Sequence, residues 1–393
     1  MEVREIRLDT SPADSDRVRL TARVAYSGGG SEDYWYDVPE SCASELSTGG
    51  NPWLALLLPL ASTIGQAIRI GSPVDANLRA NASRVAAIWR SWYANLSTPE
   101  IDAELEGPEQ ILEKERTASL FSGGADSLFT LLRDRVTAAP GERRAITDLI
   151  TVWGFDIPID DRNAFVRLRD RHRALADSVG VDFIDVATNI RTTRWREASW
   201  GYLSHGPALA SVALLFEKRF GAVYIPGSGG YRKLLPWGSH LVTDPLFSTR
   251  STAIVHDAAA YLRIEKIETL SKSELALDSL RVCWESLSDA NCGQCGKCVR
   301  TMIALDLFGA LDRCGTLPNP PDLVERASSM TCSHFAEFRE VEDLRRLAKT
   351  LGRKEVLGAL NHSVRRGRIR EGLQAFRREL TEPVRRAFSL LDD

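Results

Sequence analysis

The strongest constraint in this chain is an alternation of short apolar runs with helical stripes between residues 117 and 226. The runs ASLF, DLITVW, VDFIDVA and AVYIP have the length of buried strands, and helical patterns separate them, starting near Asp126, at 163 and at 206. In the helix from 163, Phe165, Leu168, His172, Leu175 and Val179 share one stripe, and Gly180 follows as its C-cap. Strands that alternate with helices predict an α/β fold whose sheet is parallel and doubly wound, with ligands bound at the strand carboxyl ends.

Upstream the pattern changes. Val18, Leu20, Ala22 and Val24 alternate along one face, and SGGGSEDYWYDV follows, which predicts two strands around a glycine turn. Leu78, Val85, Ile88, Trp89 and Trp92 recur at helical spacing, as a packed face does. The acidic stretch STPEIDAELEGPEQ reads as a linker, so residues 1–113 are expected to form a separate α+β module, ahead of an α/β domain over 114–282. Beyond Cys298 the pattern is helical throughout. Residues 311–393 form a helical extension ending in the arginine-rich SVRRGRIREGLQAFRREL, which reads as a solvated helix face or a surface for a protein partner.

With 393 residues, two folded units are expected, and a net charge of −3 lacks the basic excess of a nucleic-acid binder. MEVREIRLDT has no apolar core of a signal peptide and WLALLLPLA is too short to span a bilayer, so a cytoplasmic protein without a membrane partner is expected. In that reducing compartment seven cysteines do not suggest disulfides. Cys42, Cys314 and Cys332 are scattered and expected to be buried. The other four, Cys283, Cys292, Cys295 and Cys298, are spaced C-x8-C-x2-C-x2-C over a motif taken as 283–310. Four thiolates with two close CxxC steps suit tetrahedral zinc, with Gly293 and Gly296 allowing the turns between ligands; an iron–sulfur cluster or a redox pair fits less well. A complete four-thiolate set leaves no open position, so the zinc would be structural.

Within FSGGADS the first strand ends at Phe121, Gly123 and Gly124 let the backbone turn, and a helix begins near Asp126. Free helix amides flanked by the hydroxyls of Ser122 and Ser127 form an anion site suited to phosphate. Asp126 fits beside phosphate if Mg2+ lies between carboxylate and phosphate oxygens. The alternative is a glycine turn with a capping acid. No Gly-Lys-Ser/Thr follows, as in a Walker loop, and the third glycine of the dinucleotide fingerprint is missing.

Ser122, Gly123, Gly124, Ala125, Asp126 and Ser127 together resemble the pyrophosphate (PP) loop of the N-type ATP pyrophosphatases, which cleave ATP between the α and β phosphates and transfer AMP to a substrate oxygen. With the cysteine spacing added, residues 117–310 resemble 7-cyano-7-deazaguanine synthase of the queuosine pathway, which has a similar zinc motif. The segment RIEKIET, Arg263 to Thr269, is similar to that family's Ile-Asp-Lys-x-Glu-Thr. The resemblance implies a Rossmann-like, adenine nucleotide alpha hydrolase-like fold with a C-terminal zinc subdomain. It implies an AMP-forming C–N ligase that uses ATP, Mg2+ and Zn2+ to adenylate 7-carboxy-7-deazaguanine or a similar carboxylate, which ammonia or an amine then attacks to give an amide or nitrile. Asp126 would hold the metal and Lys266 would contact phosphate, where a fixed ammonium stabilises charge on the leaving pyrophosphate. Gly154 and Phe155 would lie near adenine and Gly227 would border the nucleotide or substrate. A homodimer is common in the family.

The family's Tyr-Gly-Gln-x-His and Gly-Arg-Asn segments are replaced here by GFDIPIDDRNA and SHGPALA. In RTTRWREASWGYLSHG, the residues Arg194, Trp195, Arg196, Trp200, Tyr202 and His205 would either stack a flat heterocycle or pack as a loop. Two further readings remain open: a synthase-like ligase that joins a deazaguanine to a protein amine, with a partner held by the N-terminal module, and a nucleotide-binding scaffold without turnover.

Overall fold

Each run of residues 117–226 read as a strand forms one. β6 (Thr117–Leu120), β7 (Asp148–Trp153), β8 (Asp182–Thr188) and β9 (Ala222–Pro226) pair in parallel, joined by β10 (Ala253–Asp257). The helices between them are α3 (Ala125–Thr137), α4 (Arg162–Val179) and α5 (His205–Leu215). The computed structural model describes residues 1–107, 114–137, 146–232, 234–286, 288–330, 332 and 335–367. The arginine-rich tail beyond Gly367 and the last residues of the expected linker lie outside these. The α4 stripe is buried at Phe165, Leu168, His172 and Leu175, and Gly180 caps it with φ 69°.

The N-terminal residues supply the other half of the same sheet. β1 (Glu2–Thr10), β2 (Arg17–Ala25) and β3 (Ser31–Pro39) form an antiparallel meander, and β4 (Ile68–Val74) and β5 (Ile101–Leu105) continue from β1 in parallel. The sheet is open, ten-stranded and mostly parallel, in the order β10-β9-β6-β7-β8-β3-β2-β1-β4-β5. β3 joins the halves by pairing with β8, Tyr36 opposite Thr188 and Asp37 opposite Ala187. At that seam Arg17 Nη1 donates to Asp185 at 2.7 Å, and the Tyr36 and Ser211 hydroxyls lie 2.7 Å apart. α1 (Asn51–Ile64) is apolar on all sides and buried almost throughout, as such a helix must be, while α2 (Ala76–Trp92) buries Leu78, Val85 and Trp89.

Two expectations change. The acidic linker contains β5, because Ile101 and Ala103 alternate with Asp102 and Glu104 as in a half-buried edge strand. The compact units also do not divide at residue 113. One unit comprises Met1–Leu262 with Leu287–Asp289, and the other comprises Arg263–Ser286 with Ala290–Asp393. Strands 1–3 present a sheet edge that pairs with β8, so the first 107 residues share sheet and core with the α/β half.

The second unit is helical: α6 (Arg263–Leu270), α7 (Glu274–Ser279), α8 (Gly296–Leu307), α9 (Leu323–Ser329), α10 (Phe335–Thr350) and a helix over 354–367. Within it the buried Arg300 pairs with Glu337 and Glu340. Among the described residues no helix is long and apolar enough to cross a membrane.

Glu217, just beyond α5, is buried and accepts from Ser47 Oγ and Asn51 Nδ2. Burial pushes its carboxyl up from 4.5 to about 7, with the nearby Glu106 charge adding to the rise. The folded state therefore holds this proton more tightly than the unfolded state, and the group costs stability as pH rises through that window. Urea unfolding from pH 4.5 to 7 is expected to show wild type losing up to about 3 kcal/mol relative to Glu217→Gln, with a constant difference above pH 7.

Candidate functional site

β6, β7 and β8 succeed one another towards one edge of the sheet, whereas β9 and β10 lie on the other side of β6. The chain thus changes winding direction between β6 and β9, and such a reversal opens a crevice at the strand carboxyl ends. The last paired positions there are Ser119 and Tyr224, so Ser122 and Gly227, three residues on, leave their strands at the same level. Neighbouring strands are about 4.8 Å apart, so the Ser122–Ser127 turn and Gly227 face one crevice.

The turn is held by its own polar atoms. Gly124 N donates to Ser122 Oγ at 3.3 Å, Ser127 Oγ donates to Gly124 O at 3.0 Å, and Ser122 N lies 3.4 Å from Ser127 Oγ. Ser122 is exposed, Asp126 is half-buried in the first turn of α3, and Ala125 and Ser127 are buried. Gly123 has φ +71°, and a Cβ there would lie 2.6 Å from His172 Nε2. His172 supports the turn from α4: its Nδ1 lies 3.0 Å from Thr151 Oγ1, and that hydroxyl donates to Phe121 O at 2.9 Å. The stripe position read as packing therefore lies directly against the glycine turn.

Gly154 follows β7 with φ +99°, and a Cβ would come within 2.0 Å of Thr188 O, so only glycine fits. Phe155 is buried, lies edge-on to Trp200 at 5.1 Å, and accepts from Arg191 Nη1 at 2.6 Å through its carbonyl. The arginine- and tryptophan-rich stretch divides. Trp195 belongs to the core, with Nε1 donating to Leu56 O at 2.7 Å, and Arg194 pairs with Glu197 over the Tyr26 ring. Trp200, Tyr202 and His205 form an aromatic wall with Phe155 and Trp237. Burial pushes the His205 imidazole below its usual range.

In the second unit the four thiols lie within 4.8 Å of one another. Cys283 and Cys295 sulfurs are 3.8 Å apart, and those of Cys292 and Cys298 are 3.9 Å apart. A tetrahedron with metal–sulfur bonds of about 2.3 Å has edges of about 3.8 Å, so the set can hold a metal ion such as zinc. Backbone amides favour the thiolates: Ser286 N points at Cys283, Gln294 and Cys295 N at Cys292, and Cys298 N at Cys295, all at 3.3–3.4 Å. The Cys298 thiol, with that last amide, brings Cys295 down to about 5. Gly293 makes the expected turn at φ +68°, whereas Gly296 simply begins α8.

Asn291 went unread in the sequence. Its Oδ1 accepts from Val282 N and Cys283 N, and its Nδ2 donates to Leu280 O and Thr316 O, which fixes the approach to the first ligand. A lone amide between two cysteines was the only available signal. Lys266, which the resemblance would put in contact with phosphate, is fully buried on α6, a rare placement for lysine. Cys42, Cys314 and Cys332 are buried as expected.

Comparison of the chain with family models, curated proteins and solved structures found no match.

Replacing Cys295 by Ser removes one corner of the tetrahedron. Metal analysis of the purified variant is expected to show at least a tenfold loss of bound zinc, and calorimetry a lower melting temperature for the second unit.

Proposed function

We propose that the protein is an AMP-forming ATP pyrophosphatase of the 7-cyano-7-deazaguanine synthase type, with a Rossmann-like, doubly wound nucleotide-binding half. The observation that carries this reading is the Ser122–Ser127 turn, which opens α3 at the winding reversal beside Gly227. ATP phosphates would lie on the α3 amides and the Ser122 and Ser127 hydroxyls, since a helix N-terminus favours anions. Asp126 would hold Mg2+ against the phosphate oxygens. Gly154 and Phe155 line the next strand end, where the adenine would lie.

In the reaction a substrate carboxylate attacks the α-phosphorus and pyrophosphate leaves; ammonia or an amine then displaces AMP from the acyl carbon. The substrate would be 7-carboxy-7-deazaguanine or a similar acid. The protein contributes position and electrostatic stabilisation, and no covalent enzyme intermediate is required. Zinc on the four cysteines would be structural, because four thiolates complete its coordination.

The test is ATP–pyrophosphate exchange with Mg2+ and 7-carboxy-7-deazaguanine. Wild type is expected to exchange label, and Asp126→Ala to lose at least a hundredfold with an unchanged melting curve. Full exchange by that variant would refute the loop assignment.

A further inference from the structure

We propose that His172, on α4, is a positioning residue for the phosphate turn, its Nε2 edge fixing the Gly123 backbone just ahead of the α3 amides. This inference rests on the reading of the Ser122–Ser127 turn as the ATP site. The imidazole is 1 % exposed. Gly123 has φ +71°, and a Cβ there would lie 2.6 Å from Nε2 but 3.5 and 3.6 Å from the two ring carbons beside it. The approach is therefore end-on, and the hydrogen that glycine carries in place of a side chain lies against the nitrogen. Among the described residues Gly123 makes no hydrogen bond of its own, so contact with His172 is its restraint.

The ring is fixed at its other end as well. Thr151 Oγ1 donates its single proton to Phe121 O at 2.9 Å, so it accepts from His172, 3.0 Å away, and Nδ1 carries a proton. One imidazole thus links β7 to both sides of Ser122: to the Phe121 carbonyl through the Thr151 hydroxyl, and to Gly123 through Nε2. The Phe121 ring meets it edge-on, with centroids 4.8 Å apart. α4 is itself held in place, because Phe165 stacks on Trp153 of β7 at 5.0 Å, and Arg167 and Arg171 both pair with Asp289, at 2.9 and 3.0 Å. Successive right-handed crossovers from β6 to β7 to β8 put α3 and α4 on one face of the sheet, so the ring reaches the turn from the side that α3 covers.

The turn needs such a support. Its own bonds from Gly124 N to Ser122 Oγ and from Ser122 N to Ser127 Oγ are long, 3.3 and 3.4 Å, and two successive glycines leave the backbone its widest freedom. Ordering an unrestrained turn when phosphate binds would cost backbone entropy, and a ring already seated against Gly123 lowers that cost. The effect falls on the phosphates, because adenine would lie at Gly154 and Phe155, beyond the end of β7.

Calorimetry on the full chain tests this with two ligands: α,β-methylene-ATP with Mg2+, a non-cleavable analogue, and adenosine, which has no phosphate. His172→Ala is expected to bind the analogue about tenfold more weakly or worse, and adenosine within about twofold of wild type, with a cooperative melting curve as the control for folding. His172→Gln carries its amide at the place of Nε2 and is expected to recover the analogue to within about threefold, whereas His172→Asn, whose amide takes the place of Nδ1, keeps the loss. Thr151→Val, close in shape, releases the ring and is expected to weaken the analogue about threefold. Unchanged analogue affinity in His172→Ala would overturn the proposal. So would an equal loss of analogue and adenosine, which marks a structural role, or recovery in His172→Asn and not in His172→Gln. Failure of wild type to bind the analogue would remove the ATP reading, and the positioning role with it.

Discussion

The parallel pairing of β6 with β9 is the constraint on which the candidate site depends. Its register brings Ser122 and Gly227 out of the sheet at one level, although they are 105 residues apart in the chain. Shifting this register by one residue would turn the side chains of a strand to the opposite face and separate the turn from the β9 terminus. Burial guards against such a slip, because Ala118 and Leu120 on β6 and Val223 and Ile225 on β9 all lie in one core.

The two ends of the parallel strands are built differently. At the amino ends a clasp of charges closes the sheet: Asp148, fully buried, accepts from Arg116 and Arg219, and both arginines also reach Asp182. A carboxylate without exposed surface requires such partners, because its desolvation is otherwise uncompensated. At the carboxyl ends, glycines 123, 154 and 227 each occupy a place where a methyl group would strike His172, the Thr188 carbonyl or His256. Paired charges are concentrated at one end, and close approach of glycine backbone to neighbouring protein atoms at the other.

The N-terminal strands belong to the same construction. β3 covers the β8 edge, and the Arg17–Asp185 pair reinforces that seam where a bare edge would otherwise invite another chain. α1, buried almost throughout, packs against α5, so the half with the crevice is supported from the N-terminal side. The four-cysteine knot supports the helical unit in another way, through the Asn291 hydrogen bonds and the amide-to-sulfur contacts around its ligands.

Much of this was legible in the sequence because it is local. Strand and helix periodicity, the glycine turn before Asp126 and the cysteine spacing each occupy a few consecutive residues, and their physics acts within that span. β5 was misread because a short edge strand rich in acids resembles a linker until its partner β4 is known. The union of the first 107 residues with the α/β half could not be read, since pairing of Tyr36 with Thr188 connects positions about 150 residues apart and leaves no local trace. The same holds for the Asp244–His256 contact and for the support of Gly123 by His172. The sequence by itself determined the strands and helices of residues 117–226 and the spacing of the four clustered cysteines, because backbone geometry and side-chain chemistry are local properties. Only the tertiary structure decided which of them meet, because strand order and register are set by burial across the whole sheet.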